Sequence, residues 1–196
     1  YKISPSEALK IAQQLYLDGL ISYPRTSSQK IPKEIEPKKI LKKLENYFSE
    51  AKGVSRNEPF EGSKVDPAHP SIYPTGEYAD LSGQAEKLYN LIVKRFIACF
   101  YNDAVTANKR IVLDSNGLKF SASGLKVLEK GWTSFYPIKI EEVELADING
   151  KVKIDKINFE EKETQPPNRY TPTSLITILE KKNLGTKATR SIIVDT

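Results

Sequence analysis

Tyr23-Pro24-Arg25, inside Leu20-Ile21-Ser22-Tyr23-Pro24-Arg25-Thr26, places a nucleophile-bearing side chain two residues before a permanent cation. Proline fixes its own φ and steers the residue before it out of the α region into extended geometry. In an extended segment residues i and i+2 point to the same side. The phenol of Tyr23 and the guanidinium of Arg25 are therefore expected to face one ligand. A guanidinium is a charged fork that matches phosphate oxygens, and a phenol that loses its proton is a nucleophile. The chemistry this pair suits is attack of a tyrosine on a phosphodiester. The plainer alternative is a buried tyrosine beside a surface arginine, in a chain with 10 tyrosines.

Two further segments carry groups that could join them. Ala68-His69-Pro70-Ser71-Ile72-Tyr73-Pro74-Thr75 holds the chain's 1 histidine in a proline-braced stretch. Lone histidines are commonly structural, but this one has no evident place in a core. The second segment is Pro166-Pro167-Asn168-Arg169-Tyr170, followed by Leu184-Gly185-Thr186-Lys187-Ala188-Thr189-Arg190. A glycine turn opening into a helix gathers free backbone N–H groups. Thr186, Lys187, Thr189 and Arg190 add donors and charge. This reads equally as a phosphate cradle or as a solvated basic first turn, and it lacks the glycine spacing of a nucleotide P-loop.

The elements that must position these groups can be read from punctuation and period. Ser4-Pro5-Ser6-Glu7 is a capping sequence for a helix through Ala8, Ile11, Ala12 and Leu15, which Gly19 can end. A second helix is expected from Pro37 with Ile40, Leu41, Leu44 and Phe48 as its apolar stripe and Gly53 beyond it. Residues 54–80 lack periodicity and read as a long loop, a length that is usually functional or disordered. Ser82 can cap a third helix whose expected stripe is Ala85, Leu88, Leu91, Ile92 and Phe96.

The period then alternates. Strands are expected over 104–114 and 118–123, joined by a hairpin turn at Asn116-Gly117, with Leu118, Phe120 and Ala122 on one face. Further strands are expected at 125–129, 142–147 and 151–160, the last two separated by Asn149-Gly150. Pro166-Pro167 closes this antiparallel β unit. Thr171-Pro172 opens a helix through Leu175, Ile176 and Leu179, Asn183-Leu184-Gly185 stops it, and Thr186 can cap another. The pattern is α+β, with expected domains at 1–103, 104–165 and 166–196.

Composition sets outer bounds. Hydrophobic residues at 39% and charged residues at 28% suit a globular protein able to bury a core. No apolar run approaches a membrane span and no signal-peptide pattern opens the chain, so no membrane partner is expected. The single cysteine, Cys99, rules out an internal disulfide and a cysteine-based zinc site and suits a buried thiol. Together these features suit a cytoplasmic protein. A net charge of +5 alone says little about nucleic acid. The count of 0 methionines, an initiator included, leads to the expectation that the chain begins inside a longer protein.

Taken in order, the three segments resemble the blocks of type IA DNA topoisomerases. Gly19 to Thr26 is similar to that family's active-site block, and the Ala68-His69 and Pro166-to-Arg190 segments match two more. Ser27 and Ser28 stand where many bacterial members place an acidic residue, and Pro172 where many carry glutamate. Both departures resemble the archaeal or topoisomerase III-like branch.

The resemblance implies a helical, CAP-like (winged-helix) domain carrying the tyrosine, a β arch segment that helps form the gate, and the start of a helical DNA-binding domain. It implies that Tyr23 attacks single-stranded DNA and becomes linked to the 5′ phosphate, with Arg25 steadying the phosphate. His69 would bind near the scissile phosphate, and Arg169, Lys187, Thr189 and Arg190 would hold the DNA backbone. The substrate would be negatively supercoiled DNA in the nucleoid. Mg²⁺ would be held by an acidic Toprim domain of the same polypeptide. No Asp-x-Asp pattern in suitable context occurs here, so no metal ligand is expected in this chain and that domain is expected to be missing from it. The arch would draw its other strands from elsewhere, leaving an exposed edge.

A free phenol has a pKa of about 10, so about 4 kcal/mol separates it from ionisation at neutral pH, and one arginine does not supply that. With the metal site and gate expected to lie elsewhere, the chain alone is expected to bind single-stranded DNA weakly without relaxing supercoils. A tyrosine recombinase would need its arginines and histidine before the tyrosine, the reverse of the order here. A non-enzymatic helix-turn-helix binder, built on residues 171–196, leaves Tyr23-Pro24-Arg25 unexplained.

Overall fold

The computed structural model of the chain describes residues 3–195, and the outermost residues of the first and last expected domains lie outside that range. The chain forms two compact units, one from residues 1–102, 132–137 and 170–196 and one from 103–131 and 138–169.

The first unit is helical. Helix α1 (Pro5–Leu17) starts where Ser4 Oγ accepts a hydrogen bond from the Glu7 N–H and proline occupies the first turn. It ends in a complete Schellman closure. Gly19, at φ 74°, donates to Tyr16 O at 3.0 Å, and Leu20 donates to Leu15 O at 2.9 Å. Leu15 and Leu20 are both buried, the apolar contact that accompanies this motif. Helix α2 (Pro37–Leu44) buries Ile40, Leu41 and Leu44 and turns its lysines to solvent. It stops at Leu44, short of the expected Phe48. Phe48 still joins the core, because the chain folds back into a short 3-10 turn at Ser49–Gly53.

Helix α3 (Gly83–Cys99) carries the core. Its buried face is Tyr89, Val93, Phe96, Ile97 and Ala98, which keeps Phe96 of the expected stripe and otherwise lies a step around the helix from it. Leu88 and Ile92 only flank this face. The core supplied by α1, α2 and the 48–51 turn meets the helix on the Tyr89 side, so packing, not the longest apolar row, chooses the face. Tyr89 is 1% exposed, and its hydroxyl donates to Glu77 O at 2.5 Å. Burial pushes its pKa up to about 12. Cys99 is half-buried at the end of α3, where burial raises its thiol pKa.

Residues 54–80 contain no helix or strand but are not loose. Ser55 and Arg56 N–H groups donate to Phe100 O at 3.1 and 3.0 Å, and Phe60 N–H donates to Cys99 O at 2.7 Å. Their second half runs antiparallel to the tyrosine segment, described below.

In the same unit, α4 (Pro172–Lys181) opens with a reciprocal capping box between Thr171 and Ser174. It closes with a second Schellman motif: Asn183, at φ 54°, donates to Glu180 O at 3.0 Å and Leu184 to Leu179 O at 2.9 Å. Helix α5 (Arg190–Asp195) follows and packs against α1 and α4. The sequence places its start at Lys187, but residues 187–189 form turns, with Thr186 O accepting from the Thr189 and Arg190 N–H groups.

The second unit is built on one antiparallel hairpin, β1 (Val105–Ser115) and β2 (Leu118–Glu129), which makes the fold α+β. Ser115 pairs with Leu118 across Asn116 (φ 52°) and Gly117 (φ 88°), a two-residue type I′ turn. The expected strands at 118–123 and 125–129 are one continuous strand. Gly124, inside it, lets Val143 approach closely, and Leu125 and Val143 exchange hydrogen bonds of 3.0 Å in both directions. The expected strand at 142–147 is reduced to that single bridge, steadied by Lys109 Nζ donating to Leu145 O and Ala146 O at 3.0 and 2.8 Å. The expected strand at 151–160 does not form, and its residues are exposed. Alternation makes a segment competent to pair, but a strand exists only against a partner. Leu118 and Phe120 share a face as expected, yet that face is 68% and 58% exposed at these residues.

Candidate active site

Gly19 and Leu20 leave α1 through the Schellman closure, so the tyrosine segment starts from a fixed direction. It is then stitched to the histidine loop along its length. Thr75 N–H donates to Leu20 O at 3.0 Å, Ile21 forms a bridge with Pro74, and Ser22 N–H donates to Tyr73 O at 2.9 Å. Ser22 Oγ accepts from Tyr73 N–H at 2.9 Å, and Thr26 Oγ1 donates to His69 O at 3.3 Å. Ile21, Pro24 and Pro74 are buried, which anchors the pair of segments against the core while Tyr23 and Arg25 stay half-buried.

This stitching brings the Tyr23 and His69 rings to 4.7 Å between centroids, tilted by 54°. Tyr16, from the last turn of α1, meets Tyr23 edge-on at 5.4 Å. The Tyr23 ring thus contacts two other rings.

Tyr23, Arg25, His69, Thr186, Lys187, Ala188 and Arg190 line one open depression of about 430 Å³. The second Schellman closure and Gly185 deliver the Thr186–Arg190 turn to it. Arg190 is braced by its Nε donating to Leu184 O at 3.0 Å. Thr189 is not in the lining: its Oγ1 accepts from Thr186 N–H at 2.8 Å and so shapes the turn. Arg169 lies exposed in the other unit. Arg25 Nε is buried without a hydrogen-bond partner among the described residues.

One group in this region was not singled out from sequence. Asp66 accepts from Ser27 N–H at 3.3 Å, Ser27 Oγ at 3.4 Å and Ala68 N–H at 3.0 Å, and it pairs with Lys187 Nζ. The Lys187 bond first, then the Ala68 and Ser27 N–H groups, hold its carboxyl well below the usual carboxylate range against the opposing effect of burial. The Asp66-Pro67-Ala68 turn is a local Asx signal that sequence could offer. The partner 121 residues away is not.

The arrangement presents a phenol with a guanidinium, an imidazole, an ammonium and a second guanidinium around one opening, a set suited to an anionic ester. Among the described residues no three His, Cys, Asp or Glu side chains come together to hold a metal ion. No helix among them is long and apolar enough to cross a membrane.

Residues 1–196 match the family described as DNA topoisomerase. The chain belongs to the type IA DNA topoisomerases. It is 41% identical to DNA topoisomerase 1 of Pyrococcus horikoshii, across 100% of this chain and 30% of that one. Identity to DNA topoisomerase 1 of Methanocaldococcus jannaschii is 42%, across 100% of this chain and 27% of the relative. Both relatives are archaeal, in keeping with Ser27, Ser28 and Pro172. The topoisomerase chain therefore spans about 30% of the length of curated relatives it matches. The solved full-length topoisomerase I of Thermotoga maritima shares its fold, with a TM-score of 0.66 at 24% identity, over 98% of this chain and 34% of that one.

Proposed function

We propose that this chain carries the strand-cleaving tyrosine of a type IA topoisomerase. Tyr23 Oη attacks a phosphodiester of single-stranded DNA: the Oη–P bond forms, the P–O3′ bond breaks, the phenolic proton is given up and the 3′ oxygen takes one. The strand is then held as a 5′-phosphotyrosyl ester while another passes the gap, and attack by the 3′ hydroxyl reverses the exchange. Energy is stored in the ester, so relaxation of negatively supercoiled DNA needs no nucleotide.

Charge develops on the phosphate oxygens as the bonds exchange, and donors fixed around that position stabilise it. Arg25 supplies a guanidinium from the tyrosine segment, and Lys187 and Arg190 supply cations from the Thr186–Arg190 turn. His69, against the Tyr23 ring, binds beside the scissile phosphate. Thr189 holds the turn that carries these cations, and Arg169 would contact DNA from another stretch of chain. Mg²⁺ belongs to an acidic, Toprim-type domain of the same polypeptide.

In this reading the helical residues within 1–103 form the CAP-like, winged-helix domain, 104–165 the β arch, and 166–196 the start of a further DNA-binding domain. The observation that carries the proposal is the convergence of Tyr23, Arg25, His69, Lys187 and Arg190 on one depression, from three segments far apart in sequence. A helix-turn-helix reader would leave that convergence without a purpose.

The test is Tyr23→Phe in the full-length enzyme. Covalent DNA adduct on a denaturing gel is expected to fall to background while single-stranded DNA affinity stays within about twofold, since only the nucleophilic oxygen is lost. An adduct that persists would move the nucleophile elsewhere.

A further inference from the structure

Lys187 reaches the Tyr23 depression from a turn that is otherwise exposed, on a side chain with four rotatable bonds. Something must hold its charge in place if it is to meet a phosphate in one geometry. The carboxylate of Asp66 is 5% exposed, and the Lys187 side chain paired with it is 41% exposed. The same carboxylate receives Ser27, two residues after Arg25, through both backbone and hydroxyl, and Ala68, next to His69, through its N–H. Each of the three segments that line the depression therefore sends at least one donor to Asp66.

Resting on the proposed function above, we infer that Asp66 is a positioning residue of the Tyr23 site: one buried anion ties the tyrosine segment, the histidine loop and the Lys187 turn together and sets where the Lys187 ammonium meets the DNA phosphate. Asp66 does not touch the reacting atoms. Its carboxylate orients Lys187 from behind, in the way a ligand's hydrogen-bond partner orients the ligand. The ammonium has three donors, so one can stay on Asp66 while the others turn to the opening. The Ser27 and Ala68 bonds fix the carboxylate itself, and they do so at residues adjacent to Arg25 and His69. A displacement of the Lys187 charge by about 1 Å is enough to cost up to 100-fold in rate without loss of binding.

The experiment uses the full-length enzyme and a single-stranded oligonucleotide, reading the maximal rate of adduct formation, the half-saturating DNA concentration and the melting temperature. Asp66→Asn keeps the size and an acceptor oxygen but removes the charge. The expected result is a maximal rate lower by about tenfold or more, at a half-saturating concentration within about twofold of wild type. Adding Lys187→Met to Asp66→Asn is expected to lower the maximal rate little further, because the two residues act as one unit. A wild-type maximal rate in Asp66→Asn, or losses that simply multiply in the double variant, would overturn the inference. If Asp66→Asn does not fold, Asp66→Glu carries the test. It keeps the charge and both acceptor oxygens but moves the carboxylate by one methylene, so a several-fold slower rate at an unchanged melting temperature is expected, and an unchanged rate overturns the idea. Tyr23→Phe separates the two failures. If it still forms adduct, the site reading falls whatever Asp66 does; if it is dead while Asp66→Asn is normal, only the positioning role falls.

Discussion

Val93 in α3 and Val112 in β1 are the same residue type in regular structure, yet one is 0% and the other 53% exposed. The difference extends to the units around them. The helical unit closes over Leu15, Leu44, Tyr89, Val93 and Phe100, and its backbone turns are pinned by that packing. The hairpin unit has good turn chemistry and an eleven-pair ladder register from Val105–Glu129 to Ser115–Leu118, but apolar residues on both faces stay open, among them Val112, Leu118, Phe120 and Leu128. A two-stranded hairpin is marginal in water by itself. One unit is therefore folded by its core, while the other rests on its turn chemistry and a two-stranded ladder. The candidate site sits in the first.

The largest test of that contrast removes core volume. Leu44→Ala, at a 0% exposed position, is expected to cost about 3 kcal/mol, whereas Phe120→Ala in the hairpin is expected to cost under about 0.5 kcal/mol, both read from urea unfolding by circular dichroism. Equal losses would mean that the hairpin has a core of its own. The next effect is alkaline. Tyr89 keeps its proton in the folded unit up to about pH 12, while an unfolded phenol loses it near 10. Between those values the unfolded state binds fewer protons, so stability is complete below about pH 10 and falls as pH rises through the folded value. Tyr89→Phe is expected to flatten this slope in urea melts taken from pH 9 to 12; a slope that survives would assign it to other groups. The smallest effect is local. Gly117→Ala, at φ 88°, is expected to cost about 1 kcal/mol and to speed amide exchange in β1 and β2 alone, since no atom lies near the added methyl group. Faster exchange in α3 as well would mean that the two units open together.

Local chemistry was the legible part of this fold. Gly19 and Asn183 sit where helices end, Asn116-Gly117 where the chain reverses, and Thr171 where α4 begins, because each of these motifs is decided by neighbours within a few residues. The face of α3 was not legible: Leu88 and Ile92 continue a helical row as well as Tyr89 and Val93 do, and only the position of the packed partners chooses between them. The alternation in 151–160 was genuine, but it could not announce whether a partner strand lies alongside. At the site, Tyr23, Arg25 and His69 stood out by residue type and proline bracing, and Lys187 and Arg190 by the glycine turn. Tyr16 and Asp66 did not, since what matters about each is a long-range neighbour: a ring brought over by the α1 closure, and a lysine on the far side of the hairpin in sequence.

The contacts of the Tyr16 and His69 rings with Tyr23 have a consequence for entropy. A free tyrosine side chain samples several rotamers, and ordering it when a substrate arrives would weaken binding and slow the reaction. Here the folding of α1 and of the histidine loop has already narrowed that freedom before any DNA is present. Under the proposed function, search at the moment of encounter is then left mainly to the strand, whose phosphate would meet a phenol already in place.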